Sequence, residues 1–308
     1  MDFAAVLKRL PGRQEIVAAI ERMPVAREAV SPFVAGETVG AAVAAVGQVV
    51  AAGMTASVAY LPAAGTGETA LLAYMQTIEA LDDDNLAEGS DLTVDLVALG
   101  LGAGSTPAVV SIDVAALCSA ATAVGMTITF AGLSHDLVDD ALWIRAQLAH
   151  KYPDLGVTIA ANLLRSEGDC LDLARAGVRV RLIKREANEP VGVAFTKPNE
   201  VDKAYVRCMR ILMETGATTI VATHDSRLIE IAASVAQRSE RAQHYSFQFR
   251  RGVIAERAAE LVASGSQVSI LVPFGPDWAS YMSRRIALKP SAVSQVARAA
   301  VGHGESAQ

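Results

Sequence analysis

A chain of 308 residues, 52% of them hydrophobic, is long enough to bury a large core, either as two ordinary domains or as one α/β barrel. Its formal net charge is −6 and it holds no block of five or more Lys/Arg, so neither a nucleic-acid footprint nor a polybasic membrane patch has support. Small soluble partners fit that balance better, and no apolar run reaches the ~18 residues of a membrane span.

The opening "MDFAAVLKRLPGRQEIVAAI" carries charges every few residues, unlike the apolar stretch and small-residue cleavage site of a signal peptide, and a cytoplasmic protein is expected. The first 45 or so residues read as helices, "DFAAVLKRL" and "RQEIVAAIERM", before an alanine-rich helix ending at Gly53; residues 1–53 are an expected helical lead-in. From there short β-branched or apolar runs alternate with longer amphipathic stretches, the pattern of parallel βαβ units. The runs are "TASVAY" (55–60), "LTVDLVAL" (92–99), "MTITFAG" (126–132), "GVTIAAN" (156–162), "VRVRLIK" (178–184), "TTIVATH" (218–224), "YSFQF" (245–249) and "VSILVPFG" (268–275). Glycine closes several helices just ahead of a strand, as in "AVGMTITF" and "METGATTIV". Eight strands, seven intervening helical segments and a final helix predict a (β/α)8 TIM-like barrel over 54–300, with 301–308 an expected disordered tail.

An open doubly wound sheet is the alternative. "ALGLGAGS" (98–105) is glycine-rich but lacks an acidic residue some twenty positions on, and reads as a flexible βα loop rather than a dinucleotide fingerprint. Cys118, Cys170 and Cys208 are odd in number and far apart, so buried inert thiols are expected. "LDDDN" (81–85) reads as a charged loop, and no metal is expected.

A barrel gathers its chemistry at the C-terminal ends of its strands. Strand five ends with Arg181 and Lys184, strand six with Thr223, His224 and Asp225, and strand seven with Gln248, Arg250 and Arg251. Strand eight leads into "YMSRR", which carries Tyr281, Arg284 and Arg285. Neighbouring helix residues diverge by about 100°, which still lets two guanidinium forks converge on one small ligand above the barrel mouth. A carboxylate is the natural guest, because guanidinium keeps its charge and binds bidentately. A solvated helix face is the competing reading. Lys184 stays open between a donor to a cofactor, a Schiff-base nucleophile beside Arg181 and Arg185, and a strand-end charge. His224 stays open between a ligand donor, a general base and a satisfied strand-end histidine.

Together "FVAGET", "RVRLIKREANEP", "VATHD", "YSFQFRRG" and "PFGPDWASYMSRR" resemble the proline dehydrogenase family, of the FAD-dependent, monofunctional bacterial type, from about residue 33 to 290. The resemblance implies a distorted (β/α)8 barrel with its last helix over the mouth. It implies that Arg284 and Arg285 grip the carboxylate of L-proline, with Tyr281 near the substrate. Arg181, Lys184, Thr223, His224 and Gln248 would contact FAD. It further implies oxidation to Δ1-pyrroline-5-carboxylate in proline catabolism, and reoxidation by a quinone acceptor that could be met at the membrane surface by a cytoplasmic, peripheral protein.

The same resemblance marks departures. The strand-two lysine of the family falls at Asp95, and the Asp-Ala-Glu ending strand three is replaced by a stretch offering Ala131 and Leu133. The strand-four glutamine falls at Ala160, the strand-eight tyrosine at Leu271, and the acid that would pair with the proline amine at Leu288. A missing charge-assisted hydrogen bond is commonly worth about 1.5–3 kcal/mol. The alternative implied by these losses is a catalytically impaired flavin- or carboxylate-binding module.

Overall fold

The computed structural model describes residues 30–63, 67–238 and 244–288. The helices expected within 1–29 and the tail expected at 301–308 lie outside the described residues. Eight strands alternate with helices: β1 (Thr55–Tyr60), β2 (Asp91–Val94), β3 (Thr127–Phe130), β4 (Val157–Ala160), β5 (Arg179–Ile183), β6 (Thr218–Val221), β7 (Tyr245–Arg250) and β8 (Val268–Phe274). An alanine-rich helix, Val39–Ala51, precedes β1, and Trp278–Leu288 follows β8. The first is started by Thr38, whose hydroxyl accepts from the Ala41 amide at 3.2 Å.

Every ladder is parallel, in the order β3-β2-β1-β8-β7-β6-β5-β4. The two ends of that sheet meet through Gly156, whose amide donates to Ile128 O at 2.8 Å and whose carbonyl accepts from Phe130 N at 2.9 Å. The ring therefore closes as a TIM-like barrel, and the open doubly wound alternative is overturned. "ALGLGAGS" is a succession of turns between β2 and the helix Pro107–Ala123. All three cysteines are free and buried. Among the described residues no helix is long and apolar enough to cross a membrane.

Side chains alternate across a strand, and here the two faces differ in kind. Val58, Leu92, Ile128, Val180, Phe247 and Val272 belong to the continuous apolar core. The opposite face carries Ser57, Asp91, Thr129, Arg181, Gln248 and Ser269, all buried. Hydrogen bonds from Arg181 to Ser57 (3.0 Å) and from Arg179 to Asp91 (2.9 Å) join strands that are not neighbours, so they cross the barrel interior. The lower lumen is thus a polar layer rather than the branched aliphatic filling usual in such barrels.

Asp91 is the centre of that layer. Its carboxylate accepts from Ser57 (2.6 Å), Thr129 (2.7 Å), Thr127 (3.1 Å), Arg179 (2.9 Å) and Arg181 (2.8 Å). Burial opposes its ionisation, but the two guanidinium groups and the hydroxyls outweigh burial and push its carboxyl down to about 2.

Candidate active site

Above this layer, at the C-terminal ends of the strands, lies a cavity of about 530 Å³, within the range that holds small ligands. Arg181, Lys184, Thr223, His224, Gln248, Tyr281, Arg284 and Arg285 all line it. The eight residues expected at a site are therefore brought together, from β5, the segments after β5 and β6, β7 and the final helix.

The final helix is placed by its entry. Gly275 follows β8 with φ +130°, and a Cβ there would lie 2.5 Å from the Leu61 carbonyl oxygen, so only glycine lets the chain turn past the end of β1. Trp278 Nε1 then donates to Glu37 Oε1 at 3.1 Å. Tyr281 is buried, and its ring lies 5.2 Å below the Arg285 guanidinium, a cation–π stack that fixes the plane of the fork.

The arginine pair is asymmetric. The Arg285 side chain is 18% exposed and donates to Glu186 Oε1 at 3.1 Å, whereas Arg284 is 43% exposed and sits 3.6 Å from Asp277 Oδ2. Burial opposes the charge on Arg285, but Glu186 and Tyr281 together outweigh it and the net shift favours the guanidinium. Arg285 faces inward and Arg284 stands at the rim, so the solvated-face reading fails for the first.

Arg181 reaches down as well as up. Its Nη2 is held by Asp91 and Ser57, while Nε is buried with no hydrogen-bond partner among the described residues. Burial lowers its pKa to about 10, with Asp91 opposing that shift. Lys184 donates to Asp202 (2.6 Å) and Asp225 (3.0 Å), which also bind Arg227. For Asp225, burial is outweighed by Arg227 and Lys184, and its carboxyl is held well below the usual range. An ammonium clasped by two carboxylates suits a fixed charge, not the Schiff-base nucleophile left open above. One of its three N–H directions remains.

His224 Nε2 accepts from the Arg250 backbone amide at 2.9 Å, which places the proton of the neutral ring on Nδ1. Thr223 is buried, its oxygen accepting from Asp225 N at 3.2 Å, and Gln248 Nε2 donates to Ser269 at 3.3 Å.

The departures fall unevenly. Asp95, Ala131 and Leu271 line the cavity. Asp95 Oδ1 accepts from the Val97 amide at 2.9 Å, and burial raises its pKa against the lowering pull of backbone amides and Arg284. Leu133 belongs to the apolar core, not the cavity; Gly132 lines the wall instead. Ala160 is buried away from the lining, where Thr158 stands for β4. The side chain of Leu288 lies outside the described residues.

Two acids the sequence reading did not single out for the site also line it: Glu186 and Asp202. The signal for Glu186 was a carboxylate set inside the basic run "KRE" just past β5. In all, six cationic side chains (Arg181, Lys184, Arg185, Arg250, Arg284, Arg285) face four acids, a balance that favours an anionic guest.

A family description, "Proline dehydrogenase", matches residues 42–298. The chain is 30% identical over 264 residues to Proline dehydrogenase 1 of Bacillus subtilis (strain 168), covering 84% of this chain and 86% of that one. It is 33% identical over 137 residues to a proline dehydrogenase of Deinococcus radiodurans, 44% of each chain. Among solved structures, proline utilization A from Bdellovibrio bacteriovorus inactivated by N-propargylglycine superposes with a TM-score of 0.77 at 17% identity, over 92% of this chain and 36% of that one. The Bradyrhizobium japonicum proline utilization A mutant D778Y gives 0.70 at 20% identity, over 88% and 32%. The chain spans about a third of those two proteins, and at such identity they speak for the fold. With the family description spanning most of the chain and the Bacillus protein 30% identical over more than four fifths of each, the chain belongs to the proline dehydrogenase family.

Proposed function

We propose that this chain oxidises L-proline to Δ1-pyrroline-5-carboxylate with FAD as its resident oxidant. The observation that carries the reading is the convergence of Arg285 and Arg284 with the β5, β6 and β7 ends on one cavity, in a chain 30% identical to a Bacillus proline dehydrogenase. Nothing in the comparisons favours a catalytically impaired binding module.

The cavity fits a flavin chemically. Arg181 Nε is a buried donor without a partner, Lys184 keeps a free N–H direction, and Ala131, Ile183 and Leu271 offer apolar wall for a flat ring. Arg181, Lys184, Thr223, His224 and Gln248 would hold it. Held there, FAD would supply the two-electron oxidation of the ring carbon beside the proline nitrogen, and a quinone would take the electrons onward.

The chain's own contribution is orientation and electrostatics. Arg285, held by Tyr281 beneath and Glu186 beside it, presents a fork of fixed plane to the substrate carboxylate. Arg284 closes on the same carboxylate from the rim. Asp91 anchors Arg181 from below, so that a cation stays near the floor of the site without water to solvate it. The final helix roofs the cavity and limits water at the reacting carbon.

Purified protein should show a flavin spectrum that bleaches when proline is added without oxygen, and the double substitution Arg284→Ala/Arg285→Ala should need far more proline for the same bleaching. A flavin spectrum indifferent to proline would overturn the reading.

A further inference from the structure

Four carboxylates line the cavity, and three are already committed. Asp202 and Asp225 are each bonded to both Lys184 and Arg227, and Asp95 closes a turn on the Val97 amide. Glu186 differs. Its Oε1 accepts one bond, from Arg285, and its Oε2 makes no hydrogen bond among the described residues. The side chain is 26% exposed, so a ligand in the cavity can reach it.

Space for that carboxylate is made two strands away around the ring. Gly132, just past β3, does not sit in the positive-φ region, so its backbone does not demand glycine. A Cβ there would lie 2.9 Å from Glu186 Oε2, 3.1 Å from Glu186 Cβ and 3.0 Å from Ile183 Cδ1. The bare backbone at 132 leaves the Glu186 carboxylate room beside Arg285.

An α-amino acid carries its two charges one carbon apart. Whatever reads the ammonium must therefore stand next to the guanidinium that reads the carboxylate, and the Arg285 and Glu186 groups, 3.1 Å apart, are such a neighbouring pair of opposite sign. Without ligand they neutralise each other. A zwitterion entering between them meets both, its carboxylate on the guanidinium and its ammonium on Glu186 Oε2.

We infer that Glu186 is the specificity-determining residue of this site, the carboxylate that selects an amino acid over a plain carboxylic acid, with Gly132 as the clearance that admits it. The inference rests on the proposed reading of the cavity as an amino-acid site. Its test uses two ligands of one shape: L-proline as substrate, and cyclopentanecarboxylate, which has the ring and the carboxylate but no amine, as competitive inhibitor.

In Glu186→Gln, the KM for proline rises about 10- to 100-fold, the range of a lost hydrogen bond to a charged group, while the Ki of cyclopentanecarboxylate stays within about threefold of wild type. Gly132→Ala, which leaves the carboxylate in the chain but crowds it, shifts the same two constants in the same directions by less. An equal loss for both ligands, an unchanged proline KM, or the selective loss appearing in Asp95→Asn but not in Glu186→Gln would each overturn the assignment. If Glu186→Gln does not fold, Gly132→Ala alone decides between these outcomes. Wild-type protein that turns over no proline would sink the parent reading instead; titration calorimetry of both ligands into wild type and Glu186→Gln then still reads the amine contact, and equal loss or no selective loss overturns it.

Discussion

Arginines occupy the barrel interior at two levels, and their surroundings differ. In the lower lumen Arg179 and Arg181 close on Asp91, whose two oxygens take five donors, so one carboxylate saturated with hydrogen bonds ties both guanidinium groups into the protein. At the mouth the guanidinium groups are less engaged: Arg285 makes one hydrogen bond among the described residues, to Glu186, Arg284 lies 3.6 Å from Asp277, and burial and then Arg285 lower the pKa of Arg250. A carboxylate whose oxygens already take five donors holds its arginines without help from outside. A cluster left electropositive waits for an anion. The same residue type thus serves as a strut at one level and a receptor at the other, and the difference lies in the carboxylates nearby.

The largest expected effect is on the strut. Asp91→Asn leaves the buried Arg181 and the partly buried Arg179 guanidinium groups without their counter-ion and should lower stability by about 3–5 kcal/mol in chemical denaturation. The pH profile sharpens this. Because the folded-state pKa of Asp91, about 2, lies below the ordinary carboxylate value of 3.8, its contribution is present above pH ~4 and is lost as pH falls toward 2. Wild-type stability should drop through that window, and Asp91→Asn should drop less steeply. A variant as stable as wild type would break the comparison.

At the receptor level the two clamp residues should separate. Arg285→Ala removes the inward, stacked fork and is expected to raise the proline KM by about 10- to 100-fold, with Arg284→Ala at the rim several-fold less, in steady-state kinetics. Equal effects would mean that exposure does not rank the two. The smallest effect belongs to Ser269→Ala. The Gln248 to Ser269 bond is long, 3.3 Å, and its loss should cost about 0.5–1 kcal/mol of stability with little change in turnover.

The fold was more legible in the sequence than the site. β1 spans the residues expected of it, and β8 lacks only the glycine that ends its run, because their β-branched stretches end at real turns. The run at 92–99 overshot: β2 stops at Val94, since Asp95 bonds the Val97 amide and turns the chain. Such side-chain-to-backbone bonds are invisible in a hydropathy pattern. Alternation showed that strands have two faces but not which face looks inward, so the Asp91 layer could not be foreseen from "SDLTV" and "VRVRL". Resemblance carried the eight site residues, whereas Glu186 escaped it because its role depends on the empty space at Gly132, two strands away around the ring.

The central claim is that the final helix hangs a guanidinium clamp over the barrel mouth and that this clamp, not the lower arginine layer, takes the ligand carboxylate. A crystal structure of the protein with cyclopentanecarboxylate tests it directly. The expected result is the ligand carboxylate at about 3 Å from the Arg285 guanidinium, with Arg284 swung toward it and the Asp91 cluster unchanged. A carboxylate bound away from both final-helix arginines would contradict the account.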